Sequence, residues 1–188
     1  MIRISFLCGE LLLAGVWLLL RLAVWLRQGR IDWRREAVLL LMYVNLAVIL
    51  RFTFYPMARV GGKVPPLLFH AGMAFPFRIN WVPFVDFGFY QSKRVVLLNV
   101  IGNVALFTPS GVVLPIVYRK LDSFRKVVGT GFLMSLCIEL LQLPFYVRAT
   151  DVDDLIFNTL GVAVGYGSYA LARRRAEVRR PQETDSEE

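Results

Sequence analysis

Apolar side chains run almost unbroken through five stretches of this chain, at about 5–26, 36–56, 95–118, 126–143 and 152–172. Each has close to the roughly 20 residues that a helix needs to cross a bilayer's hydrocarbon core. The pattern predicts an all-α integral membrane protein with about five transmembrane helices. A long connection at about 57–94 joins the second to the third. The first stretch is too long for a signal-peptide core, has no small-x-small cleavage site and ends in Trp25, Leu26 and Arg27. It is expected to remain as an anchor.

Within these runs the polar residues recur at helical spacing, three or four apart on one face. Asn99 and Asn103 form such a stripe in the third helix, and Ser135, Glu139 and Gln142 another in the fourth. The fifth carries Asp151, Asp154, Asn158, Gly161 and Gly165. Asn45, Arg51 and Tyr55 punctuate the second helix, and Arg148 lies in the short fourth connection. A charge placed in lipid costs several kcal/mol, so a cluster of polar groups at membrane depth is a candidate functional site. The long connection holds Phe69, Phe75, Phe77, Trp81, Phe84, Phe87, Phe89 and Tyr90, while Pro65, Pro66, Pro76 and Pro83 deny it a continuous helix. Such a density of rings suits the membrane interface. Pro109 and Gly111 should kink the third helix, leaving Thr108 or Ser110 to satisfy the freed carbonyls.

Composition and charge add direction. With 56% hydrophobic residues, the 188-residue chain has no room for a soluble domain. Thirteen basic residues follow the first, third and fifth helices: Arg27, Arg30, Arg34, Arg35, Arg119, Lys120, Arg125, Lys126, Arg173, Arg174, Arg175, Arg179 and Arg180. Seven lie on the other side, mostly in the long connection, where the bias is weak. The N-terminus is therefore expected outside and the C-terminus in the cytoplasm, which makes the long connection extracytoplasmic and gathers the polar stripes near the outer surface. The net charge of +8 reads as this orientation signal with some attraction to anionic lipid, and nucleic acid is excluded as a partner. Cys8 and Cys137 lack metal-ligand spacing, and His70 is the sole histidine. Neither a metal nor a cofactor is expected.

Four segments together resemble a known family: R-I-N-W-V-P-F at 78–84, L-N-V-I-G-N-V-A-L-F-T-P-S-G at 98–111, S-L-C-I-E-L-L-Q at 135–142 and R-A-T-D-V-D-D-L-I-F-N-T-L-G at 148–161. In order and spacing they are similar to the motif blocks of VanZ-like membrane proteins. The resemblance implies a VanZ-like transmembrane domain over 36–172. An added helix with its cytoplasmic loop would precede it at 1–35, and a disordered cytoplasmic tail would follow at 173–188. The family is named after an accessory protein that confers low-level resistance to teicoplanin, a lipoglycopeptide acting at the outer face of the membrane. That implies an envelope role but no reaction. Carried over by position, the ligand-binding candidates are Asn80, Asn99, Asn103, Glu139, Gln142, Arg148, Asp151, Asp154 and Asn158. Trp81 stands where a smaller aliphatic is usual in the family, and Ser110 where an apolar residue is.

Plainer readings stand beside these. The asparagines serve equally well as interhelical ties, Glu139 as half of a buried lock with Arg51 or Arg148, and the aspartates as caps and favourable charge at a helix N-terminus, the preferred reading for Asp153. Gly161 and Gly165 form a G-x-x-x-G packing step. Three functions fit the pattern. The leading one is binding of a lipid-linked cell-wall component, another membrane lipid or a lipoglycopeptide antibiotic in an outer polar cavity. The second is an intramembrane enzyme acting on an envelope lipid, with Glu139 and Asp154 as catalytic candidates, Arg148 as anion clamp, and Asp151 with Asp154 as second carboxylates or divalent-metal ligands. The third is a structural subunit or small transporter, with the odd helix number and lack of an internal repeat counting against transport.

Overall fold

Local chemistry sets the helix ends. Ser5 caps α1 (Phe6–Gln28) by accepting a hydrogen bond from the Cys8 N–H at 3.2 Å, and Gly29 closes it in the left-handed region with φ 63°. Asp32 caps α2 (Trp33–Phe54) through the Arg35 N–H at 3.1 Å. Next come α3 (Lys93–Val117), α4 (Phe124–Gln142) and α5 (Val152–Thr184). The computed structural model describes residues 1–56, 59–75, 79–80, 82–84, 93–146 and 150–184. Two short sheets complete it: β1 (Ile2–Ile4) pairs antiparallel with β2 (Leu67–Phe69), and β3 (Ile79–Asn80) pairs parallel with β4 (Thr150–Asp151).

The helices α1 and α2, Val96–Val117 of α3 and Val152–Val178 of α5 are long and apolar enough to cross a membrane. The 19 residues of α4 are not among them, because Arg125 and Lys126 at its start and Glu139 near its end put charges within the apolar run. At 1.5 Å per residue it is still about 28 Å long, close to the thickness of a hydrocarbon core. All of its buried positions, Val127, Gly131, Ser135, Glu139 and Gln142, fall on one face. The chain is an all-α membrane protein.

The most extensive helix contact joins α3 to α5. It is made backbone to backbone: a methyl group added at Gly165 would stand 2.0 Å from the Thr108 carbonyl oxygen, and one at Gly111 2.1 Å from that of Val162. Leu114, Val117, Val127 and Val162 close the core, with Leu39, Met42 and Ile49 of α2 against them. Helix α1 has no buried residue and leans on α2 through the Trp17–Tyr43 rings, the Arg21–Glu36 ion pair, and Tyr55, whose hydroxyl donates to the Ser5 carbonyl at 3.0 Å. Its exposed leucines, such as Leu11, Leu12 and Leu19, suit contact with lipid.

Despite Pro109 and Pro115, α3 continues as one helix. Thr108 Oγ1 donates to the Val104 carbonyl at 2.7 Å, one residue before the Ala105 carbonyl that Pro109 leaves without its helical donor. Ser110 is instead fully buried and accepts from Asn45 Nδ2 at 2.8 Å, tying α2 to α3. Removing one partner leaves the other unsatisfied in an apolar layer. Ser110→Ala should therefore lower stability by about 1 kcal/mol, and Asn45→Leu combined with Ser110→Ala should recover most of it, in thermal melts of the detergent-solubilised protein.

At its far end α5 continues to Thr184, twelve residues beyond the expected span and into the segment expected to be a disordered tail. Ala172 and its arginine neighbours are good helix formers, and Arg173 Nε donates to Glu177 at 2.9 Å one turn on. The α1–α2 turn, the α3–α4 turn and this extension share one end of the bundle. The N-terminal strand, the described residues between α2 and α3 and those between α4 and α5 share the other, joined by β1–β2, by β3–β4 and by the His70 N–H donating to the Pro144 carbonyl at 2.9 Å.

Candidate functional site

At the end that holds the long connection, the polar stripes of α3, α4 and α5 converge. Asn158 Nδ2 donates to Ser135 Oγ at 3.0 Å, with both residues buried. One turn nearer the end, Asn103 Nδ2 donates to Asp154 Oδ1 across the α3–α5 contact. One turn beyond Ser135 on α4, the carboxylate of Glu139 is 2% exposed and accepts the Asp151 backbone N–H at 3.1 Å. The spacing of three and four along each helix is what stacks these groups on successive turns. A carboxylate facing the unpaired N–H groups of a helix N-terminus is also favoured by the helix dipole. Asn158 Oδ1 is the buried side-chain polar atom left without a hydrogen-bond partner among the described residues.

The first turn of α5 organises the rest. Asp151 caps it, accepting from the Asp153 N–H at 3.0 Å, and pairs through the β3–β4 ladder with Asn80. Asp153 was expected to do no more than supply cap or dipole charge. It is buried, and both its oxygens lie 3.0 Å from the backbone N–H of Phe84. Phe84 has φ 63°, a strained conformation for an aromatic residue, and its ring packs 6.3 Å from that of Phe157. The Asp153 carboxylate thus holds a strained turn of the connection down on α5. A hydrogen bond to a charged group contributes about 1.5–3 kcal/mol. Asp153→Ala should release this turn, raising amide exchange at Phe84 by ten-fold or more while Ser135 and Asn158 stay protected.

Other expected residues are placed differently. Gln142 is buried and donates to the Thr53 carbonyl at 2.8 Å, which ties α4 to the end of α2. Arg51 donates to the carbonyls of Tyr55 and Pro56 at 3.2 and 3.3 Å and stacks on Phe6 and Phe52, so it finishes its own helix and is no lock for Glu139. Asn99 is exposed on α3 and does not join the cluster. Arg148 and Trp81 lie outside the described residues. At the same end of the bundle opens a cleft of about 470 Å³ lined by Arg3 and by apolar side chains including Phe54, Pro56, Leu67 and Phe145.

Asn45 and Asp153 are the polar partners that sequence reading undervalued. Asn45 sits mid-helix without a stripe of its own, and its only signal is its pairing with the unusual Ser110. The role of Asp153 depends on a turn 69 residues away in the chain.

No solved structure matches the chain. Protein VanZ of Enterococcus faecium is 29% identical over 96 residues, which cover 51% of this chain and 55% of that protein, so the chain spans about half the length of the curated relative it matches. The VanZ/LLP1 family model matches residues 40–173, from the middle of α2 through the membrane part of α5 and including the whole polar cluster. The chain belongs to the VanZ/LLP1 family.

Proposed function

We propose that this protein is a multi-pass envelope protein with its N-terminus outside, and that the polar cluster between α3, α4 and α5 recognises the head of a lipid-linked cell-wall component or a lipoglycopeptide. Through that binding it would contribute to resistance against teicoplanin-type glycopeptides. The observation that carries this reading is the burial of Glu139 in a three-helix ladder of amides and carboxylates, under a turn that Asp153 clamps in place. A membrane protein otherwise avoids such a concentration of polar groups. The apolar cleft at the same end, with Arg3 in its lining, supports the same ligand class, since it offers a tail-sized apolar surface at the end that holds the polar groups. Candidate heads are sugars, peptides and phosphates, all of which hydrogen-bond to amides and carboxylates. The decisive measurement is binding of a purified lipid-linked peptidoglycan precursor and of teicoplanin to the protein in nanodiscs. Absence of saturable binding by both would reject the reading.

Orientation is testable separately. In a background with Cys8→Ser and Cys137→Ser, single cysteines at His70 should react with an impermeant maleimide on intact cells, and those at Lys120 or Arg174 only after permeabilisation. Labelling of Lys120→Cys from outside would place the polar cluster on the cytoplasmic side and remove the proposed ligands from its reach.

A second reading, an intramembrane enzyme acting on an envelope lipid, has one observation in its favour. The carboxyl groups of Glu139 and Asp154 both meet the first turn of α5, where one could take a proton and the other give one. Chemical conversion of the bound lipid, followed by mass spectrometry, would distinguish it from binding alone.

A further inference from the structure

At the opposite end of the bundle a cleft of about 620 Å³ opens between the first turn of α2 and the last turn of α3. Its mouth carries Arg34, Arg35, Arg119 and Lys120 against a single acidic residue, Asp32. The Asp32 carboxylate is occupied as the α2 cap. Arg35 is pinned as well: its guanidinium donates to the Val117 carbonyl and sits 6.0 Å from the Tyr118 ring. Arg34, Arg119 and Lys120 are exposed, and the ion pairs among the described residues, Arg21–Glu36, Lys126–Asp122 and Arg173–Glu177, involve none of them. Deeper in, the wall becomes apolar at Val38 and Ile116.

The depth of this cleft fits one class of occupant. The apolar span of α2 begins at Trp33 and that of α3 ends at Val117, so the cations stand at the level where both helices leave the hydrocarbon. Trp33, highly exposed, is the type of side chain that settles in the headgroup layer. Lipid phosphates lie at that level, and a basic pocket between helices over an apolar groove matches a phosphate with an attached acyl chain. We propose that this cleft binds the phosphate of an anionic phospholipid, held by Arg34, Arg119 and Lys120, with an acyl chain along Val38 and Ile116. The site is independent of the function proposed for the opposite end.

The test uses the full chain purified in detergent and supplied with phosphatidylglycerol or phosphatidylcholine, with bound lipid read by native mass spectrometry. Phosphatidylglycerol should be retained selectively, and an excess of inorganic phosphate should not displace it. Each basic residue near an anionic headgroup contributes roughly fivefold to affinity, so combined Arg34→Gln, Arg119→Gln and Lys120→Gln should weaken retention on the order of 100-fold. Arg125→Gln with Arg174→Gln and Arg175→Gln, which removes as many charges from the same end outside the cleft, should change it little. Equal losses in both sets would show a diffuse surface potential and overturn the site. Displacement by inorganic phosphate would make it a free-anion site and overturn the lipid assignment, as would equal retention of the two lipids. Should the triple variant fail to accumulate, the single exposed change Arg119→Gln gives the same reading at about fivefold.

Discussion

Gly165→Ala will sharply reduce the amount of folded protein, and Gly167→Ala, two residues further along the same helix, will not. In the first variant the new methyl would lie 2.0 Å from the Thr108 carbonyl oxygen and 3.1 Å from the Gly111 Cα. These are backbone atoms of α3, which no rotamer change can move aside, so the two helices must separate. The same holds at Gly161, where a methyl would meet the Val104 carbonyl oxygen at 2.3 Å. Overpacking typically costs about 1–3 kcal/mol, and the upper end applies where the obstruction is main chain on both sides. Separation also strains the Asn103–Asp154 hydrogen bond across the same contact, so a drop in stability and a loss of ligand binding should coincide. Around Gly167 there is nothing within 4 Å, and alanine is the better helix former by about 1 kcal/mol. Its melting temperature should hold or rise. Fluorescence-detected size-exclusion and thermal melts of the two variants in parallel would check this, and equal accumulation would mean that α3 and α5 are not in backbone contact.

The helices were legible because lipid-grade apolar runs allow little else, and their observed ends differ from the expected ones by only a few residues except in α5. There the apolar run stops near 172, but the helix is carried on by Arg- and Ala-rich sequence whose propensity an apolar count does not register. Glycine spacing disclosed the packing face of α5, while its counterpart Gly111 was visible only as part of an expected kink. In the site, residues whose role follows from spacing on their own helix were legible: Asn103, Glu139, Asp154 and Asn158 fall on converging faces. Residues whose role depends on where a distant segment arrives were not. Arg51 was a candidate partner for Glu139 because both sit near the same end, yet two carbonyls freed at its own helix terminus lie closer. Asp153 stands in a run of three acids from which sequence cannot choose the cap, and the loop amide it clamps is set by tertiary structure. Asn99 shares a face with Asn103, but it stays exposed one turn nearer the start of α3.

The carboxylates themselves can be tested by isosteric change. Glu139→Gln retains an oxygen to accept the Asp151 N–H, and Asp154→Asn retains one to accept from Asn103 Nδ2, so both variants keep these two hydrogen bonds. What they delete is the negative charge and the ionisable proton. If those groups serve only as structural ties, the amides should melt within a few degrees of the parent and function normally. If Glu139 were one half of a buried ion pair, its neutralisation would strand the other half at a cost of about 3–5 kcal/mol, and the protein would fail to accumulate. The proposed binding role requires a third outcome. Both variants should accumulate and melt near the parent, yet lose about 2 kcal/mol of ligand affinity, roughly thirtyfold, because a charge-assisted hydrogen bond to the ligand head becomes a neutral one. Teicoplanin susceptibility of cells expressing the variants should move towards that of cells lacking the protein. The larger loss is expected for Glu139, whose more complete burial leaves less water to replace what the ligand no longer receives. Unchanged binding in well-accumulated Glu139→Gln and Asp154→Asn would assign both carboxylates to packing, and would leave Asn158 Oδ1, buried and without a hydrogen-bond partner among the described residues, as the polar group of this end still to be accounted for.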